Sequence, residues 1–128
     1  MSDNMDDEGK MLSMIMQADP SVRYACVCDQ DANILWNSRR NDIVSLITLE
    51  DTKASVKQAI ENWRGREKLT PKIGKGRFAL VDYEKLKRVS MPLKNGHLLY
   101  IHLEANQPDY MGTILKVVKW VEDHPSQA

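Results

Sequence analysis

Cys26 and Cys28 stand two residues apart in one apolar run, and His97 and His102 fall near and within a later one. Thiolate and imidazole suit zinc when four of them converge. The spacing speaks against it, because C-x-C here has no second pair to complete the ligand set. Cysteine is also among the most buried residue types, so core packing is the stronger reading. Ser90, Cys28, His97 and His102 include the residue types of a nucleophile and its base. No elbow of the G-x-S-x-G kind presents any of them. The sequence therefore gives no catalytic residue, no metal site and no cofactor site, and it reads as non-enzymatic.

Asp29-x-Asp31-x-Asn33 copies the start of a calcium loop. That loop needs glycine at its sixth position and a bidentate glutamate at its twelfth. Ile34 and Arg40 hold those places, so a polar hairpin turn is the better reading. Ile73-Gly74-Lys75-Gly76-Arg77 hints at a phosphate loop. A true one lies between a strand and a helix, so that amide groups at the helix start face the phosphate. Here the glycines lie between a helix and a strand.

The net charge is zero but unevenly spread. Between Lys53 and Lys94 there are twelve Lys or Arg against four Asp or Glu. Arg64, Arg66, Lys68, Lys72, Lys75 and Arg77 form its densest part and the candidate anion-binding segment. Nucleic acid would be the obvious ligand, with binding that weakens steeply in salt. No aromatic residues for base stacking are interleaved with these cations, which makes it the weaker reading. A solvated basic face is the simpler one. No apolar run approaches the roughly 20 residues that cross a bilayer, so no membrane association is expected. The acidic N-terminus is unlike a secretory signal. Two neighbouring cysteines that share a strand face rarely pair, so a reducing cytoplasm is the expected location.

Periodicity supplies the elements that must position these residues. Met11, Leu12, Ile15 and Met16 make one stripe of a helix over 8–17, capped by Asp6 or Asp7. Methionine adapts to irregular surfaces, so this stripe suits either a docking face or, more simply, the core. Residues 1–7 read as a disordered acidic tail, 8–124 as one domain and 125–128 as a second tail. A strand over 22–28 puts Val22, Tyr24, Cys26 and Cys28 on one face and Ala25 and Val27 on the other. Asn33 is the residue expected to take positive φ in the turn that follows. A second strand starts over 34–37, and residues 39–42 lead away from it.

Thr48 caps a helix to about Glu67, with Leu49, Val56, Ala59, Ile60 and Trp63 as its apolar stripe. Pro71, Gly74 and Gly76 then open a flexible basic loop. Strands follow over 78–83, 86–93 and 98–103. Asn95-Gly96 predicts a two-residue type I′ hairpin that sets Leu93 opposite Leu98 and Met91 opposite Tyr100. Pro92 belongs at a non-bonded site or a bulge. A last helix from Pro108 or Asp109 buries Met111, Ile114, Leu115, Val118 and Val121.

The order α-β-β-α-β-β-β-α resembles the profilin-like architecture of roadblock/LC7 domains. Val22-Arg23-Tyr24-Ala25 running into Asp29-Gln30-Asp31, Gly74-Lys75-Gly76-Arg77-Phe78-Ala79-Leu80, and the strand pair 89–92 and 98–104 also resemble a family of small proteins from ammonia-oxidising archaea. The resemblance covers residues 19–122. Such domains commonly place glycine in the first hairpin turn, where Ala32 stands here. The resemblance implies an α+β fold: a five-stranded antiparallel sheet with the middle helix on one face and the terminal helices on the other. It implies a protein-interaction or dimerisation module, with small GTPases as a partner class by fold analogy alone. It also sets strand 78–83 at an open sheet edge. An open edge is a template for another chain, and a second copy is its commonest partner. Val56, Ile60, Trp63, Phe78, Leu80 and Tyr83 are then the expected interface. A small-molecule sensor, with its ligand between sheet and helix, is a further alternative.

Overall fold

The computed structural model describes residues 3–40 and 46–123, with side chains from residue 7 onward. Among the described residues the elements are α1 (Asp3–Ala18), β1 (Val22–Cys28), β2 (Ile34–Arg39), α2 (Leu49–Glu67), α3 (Thr70–Ile73), β3 (Ala79–Asp82), β4 (Leu86–Pro92), β5 (Leu98–Glu104) and α4 (Tyr110–Asp123). The strands form one antiparallel sheet in the order β2-β1-β5-β4-β3. This is the expected α+β architecture. α1 begins at Asp3 rather than Glu8, so Asp6 and Asp7 lie within the helix instead of capping it. Residues 41–45 and the expected tail over 125–128 lie outside the described residues. The segment expected as a flexible loop contains α3, with Pro71 in its first turn, where a missing N–H is harmless.

Alternation along β5 divides the interior in two. Leu99, Ile101 and Leu103 face α1 and α4, which bring Met11, Leu12, Ile15 and Met16, and Ile114, Val117, Val118 and Val121. Leu98 and Tyr100 face α2, where Val56, Ile60 and Trp63 meet Cys26 and Cys28. The methionine stripe of α1 is therefore core. Val22 was expected on the Tyr24 face and packs with the α1–α4 side instead. The β1–β5 register shifts between Val22 and Tyr24, and one extra residue turns a strand over. α4 is also rotated from its expected stripe. Met111 and Leu115 are 40% and 52% exposed, while Thr113 and Val117 are buried. In α2, Thr52 is buried in place of Leu49.

α2 starts where Thr48 was expected to cap it. The Thr48 hydroxyl accepts from the Asp51 amide at 3.0 Å, and the Asp51 carboxylate accepts from the Thr48 amide at 3.1 Å. This reciprocal pair satisfies two otherwise orphaned donors. In the first hairpin it is Ala32, not Asn33, that takes positive φ, at 65°. Asn33 is held elsewhere, its amide donating to the Asp29 carboxylate at 3.0 Å. Burial pushes the Asp29 carboxyl up, but the amide donors of Asn33 and Asp31 outweigh it and hold it below its usual range. That carboxylate serves its own turn.

The β4–β5 hairpin differs from expectation by one residue. Pro92 pairs with Leu98 and Met91 with Leu99. The Gly96 amide donates to the Leu93 carbonyl at 3.1 Å and the Leu93 amide to the His97 carbonyl at 2.8 Å. Gly96 has φ 89° and Asn95 stays out of the left-handed region. A type I′ turn needs positive φ at both, so a three-residue loop with Gly96 as its bulge forms instead. Leu93 and His97 make a bonded pair, and alternation then turns residue 92 of β4 toward β3. Pro92 stands just past Ser90, the last β4 residue with a β3 partner. No ladder bond is lost there, and β3 has no donor opposite with which to extend.

Candidate interaction surface

β3 is bonded on one side only. Its register with β4 runs from Ala79 opposite Ser90 to Asp82 opposite Lys87, and nothing pairs with its outer side among the described residues. The Tyr83 amide donates to the Leu86 carbonyl at 2.9 Å. Bonded and non-bonded pairs alternate in an antiparallel ladder. Val81 and Ala79 therefore bond inward to β4, and the backbone groups of Leu80 and Asp82 point out. Beside this row Val81 is 50% and Tyr83 49% exposed.

The α2 side of β3 opens into a groove of about 160 Å³. Ser55, Ala59 and Asn62 of α2 form one bank, Val81 and Tyr83 the other, and Arg88 and Tyr100 part of the floor. The floor is fixed by hydrogen bonds. Arg88 donates to the Ser55 hydroxyl at 2.6 Å, and Ser55 and Tyr100 share a 2.7 Å hydroxyl contact. The Arg88 guanidinium lies 5.1 Å from the Tyr83 ring centroid and holds that aromatic over the groove. The groove continues the open strand edge as one surface.

The six residues expected at an interface separate in the fold. Val56, Ile60 and Trp63 are buried against the sheet of their own chain. They support the surface from beneath and do not form it. An apolar stripe looks the same in sequence whether it faces a sheet or a partner. Phe78 and Leu80 are half-buried and pack toward the α1–α4 core, leaving Tyr83 at the surface. Val81, Ala59 and Arg88, which are not among the six, line the groove. Val81 carried a signal, since it shares a strand face with Tyr83.

The six cations are all exposed but do not converge. Arg64 donates to the Gln30 carbonyl in the β1–β2 turn at 2.8 Å. Arg66 lies 4.8 Å from the Trp63 ring centroid. Arg77 reaches Glu122 of α4 at 3.3 Å. Lys68 caps α2, Lys72 belongs to α3 and Lys75 follows it. Arg64 and Arg66 also suit the negative end of the α2 dipole. The two glycines have local explanations. Gly74 follows α3 with φ 86°. A Cβ on Gly76 would lie 2.5 Å from the Trp63 ring.

Cys26 and Cys28 are free and buried, and burial pushes both thiols up to about 12. Among the described residues no group of three or more His, Cys, Asp or Glu could hold a metal ion. The histidines and Ser90 have separate surroundings. His97 contacts the Glu8 carboxylate at 2.7 Å, Ser90 accepts from the Trp63 indole at 2.8 Å, and the His102 ring lies tilted against that of Tyr24. Among the described residues no helix is long and apolar enough to cross a membrane.

No protein-family model and no curated protein matches the chain. Solved structures do match. The gliding protein MglB from Thermus thermophilus superposes with a TM-score of 0.76 at 12% identity, over 99% of this chain and 91% of that one. A roadblock/LC7 domain from Streptomyces avermitilis gives 0.63 at 12% identity, over 91% and 95%. MglC from Myxococcus xanthus gives 0.61 at 15% identity, over 94% and 97%. The chain thus has the fold of roadblock/LC7 proteins, a five-stranded antiparallel sheet with helices on both faces.

Proposed function

We propose that this chain is a non-enzymatic protein-interaction module that pairs with its own copy along β3. The outer row of β3 carries the reading. Leu80 and Asp82 offer unpaired backbone groups there, Val81 and Tyr83 are exposed beside them, and the α2 groove extends the contact. An antiparallel copy related by a twofold axis would satisfy both rows at once. A solved MglB structure of the same fold has a tetrameric arrangement (TM-score 0.76, 12% identity), which supports assembly through this architecture. The kinship to small proteins of ammonia-oxidising archaea and the reducing cytoplasm belong to the same proposal, and free cysteines suit that compartment. A small GTPase as further partner rests on fold analogy.

Val81→Lys tests the pairing. The side chain is half exposed, so the substitution spares the core, and an edge lysine opposes strand addition. Sedimentation of the natural sequence is expected at twice the chain mass of 14.7 kDa. The variant should show a dissociation constant raised on the order of a hundredfold, equivalent to about 2.7 kcal/mol. A natural sequence that sediments as a single chain at micromolar concentration would end the proposal.

A further inference from the structure

A second, larger cleft lies away from β3, where β1 and β2 pass the first turn of α2. It encloses about 560 Å³, a volume typical of small-molecule sites, roughly 300–1,000 Å³. Arg23, Tyr24, Arg39 and His102 line it from the sheet, and Leu46, Ile47, Leu49 and Thr52 from the segment entering α2.

Two buried polar atoms distinguish this wall from ordinary surface. His102 is 6% exposed, and its Nε2 has no hydrogen-bond partner among the described residues. The Tyr24 hydroxyl is likewise buried, met only by the weakly bonding Cys26 thiol, with its ring centroid 5.1 Å from that of His102. Buried polar groups are ordinarily satisfied, so an orphan nitrogen beside a hydroxyl met only by a thiol, in a cleft wall, points to a ligand. Burial, aided by the Arg88 and Arg23 charges, pushes His102 down to about 4. Its ring is neutral near pH 7 and brings a single N–H.

The charge around the cleft selects the ligand class. Arg39 brings fixed positive charge, and the α2 N-terminus adds its partial charge. The nearby carboxylates are partly engaged. Glu104 pairs with Arg23 at 2.8 Å, and Asp51 turns back to the Thr48 amide. Glu50, also in the first turn, is exposed. Arg39 has no ion pair among the described residues and stands exposed at the rim. Leu46 and Leu49 are exposed on the opposite lip, and Leu86 lies buried in the wall.

We propose that this cleft binds a small organic anion, its oxyanion between Arg39, the Tyr24 hydroxyl and the first turn of α2, and its apolar body against Leu46, Leu49 and Leu86. The site is independent of pairing along β3. Benzoate, phenyl phosphate and benzyl alcohol share one apolar body and differ in head group. Titration followed by the ring NMR signals of Tyr24 and His102 is expected to give saturable shifts with benzoate or phenyl phosphate and none with benzyl alcohol. The tighter of the two anions separates a carboxylate ligand from a phosphate one. Arg39→Ala and Tyr24→Phe should each weaken binding about tenfold, as loss of a charge-assisted hydrogen bond does. Neither variant should lower the unfolding midpoint appreciably, since one position is exposed and the other loses only a weak contact with a thiol. No saturable shift with either anion, an equal response to benzyl alcohol, or unchanged affinity in both variants would overturn the site.

Discussion

Replacing Trp63 by alanine is expected to lower the unfolding free energy by about 3–5 kcal/mol, the range for a buried tryptophan. A domain typically has about 5–15 kcal/mol in total, so one side chain carries a large share. The ring fills the space between α2 and the sheet alongside Cys26, Leu98 and Tyr100. Its indole N–H donates to the Ser90 hydroxyl at 2.8 Å, a buried bond that alanine leaves broken. On its other side Gly76 lies so near that no Cβ fits. The ring therefore also fixes the path of the chain from α3 into β3, and the effect reaches the open edge. Trp63→Phe should recover more than half of the loss, because most of the ring volume remains. Urea denaturation measures both variants. A deficit below about 1 kcal/mol for alanine would show that the cavity collapses and that the ring anchors nothing.

Arg40→Ala is expected to have the next largest effect, about 2–3 kcal/mol, in the range for hydrogen bonds to a charged donor. The Arg40 guanidinium donates to the Val22, Met16 and Asp19 carbonyls at 2.7, 2.5 and 2.8 Å. Met16 lies in the last turn of α1, where carbonyls have no intrahelical partner. Arg40 thus joins the end of α1, the turn after it and the start of β1 from the far end of β2. Lysine keeps the charge but cannot reproduce a planar fork across three acceptors. Arg40→Lys should recover less than half of the deficit in the same urea titration. Full recovery by lysine would mean that charge alone does the work.

What the sequence reveals and what it hides follow a physical division. Local chemistry is legible. Thr48 and Asp51 three residues apart announce the start of α2, and the near-continuous apolar run of β5 announces a strand covered on both faces. Positions that depend on a distant partner are not. Gly76 resembled part of an anion loop until the Trp63 ring explained it. Val22 changed sides because of a register shift with β5, which only the pairing strand can impose. Asn95-Gly96 marked a turn correctly, but the loop length followed from φ at Asn95. The open edge came from the order of elements and its resemblance to a known fold. The surface that accompanies it did not, because burial of Val56, Ile60 and Trp63 against their own sheet leaves Val81 and Tyr83 to face outward. The cleft beside β1 and β2 was hidden more completely. Tyr24, Arg39, Leu49 and His102 come from four elements, and no spacing connects them.

Hydrogen exchange at the Leu80 and Asp82 amides, followed against chain concentration, tests the β3 pairing most directly. Those two N–H groups point away from β4, while the Val81 amide is bonded to it. Pairing along β3 predicts that Leu80 and Asp82 gain protection as the chain doubles in mass, with Val81 protected throughout. If the mass doubles while Leu80 and Asp82 continue to exchange as freely as a surface loop, the two copies meet somewhere else and the account fails.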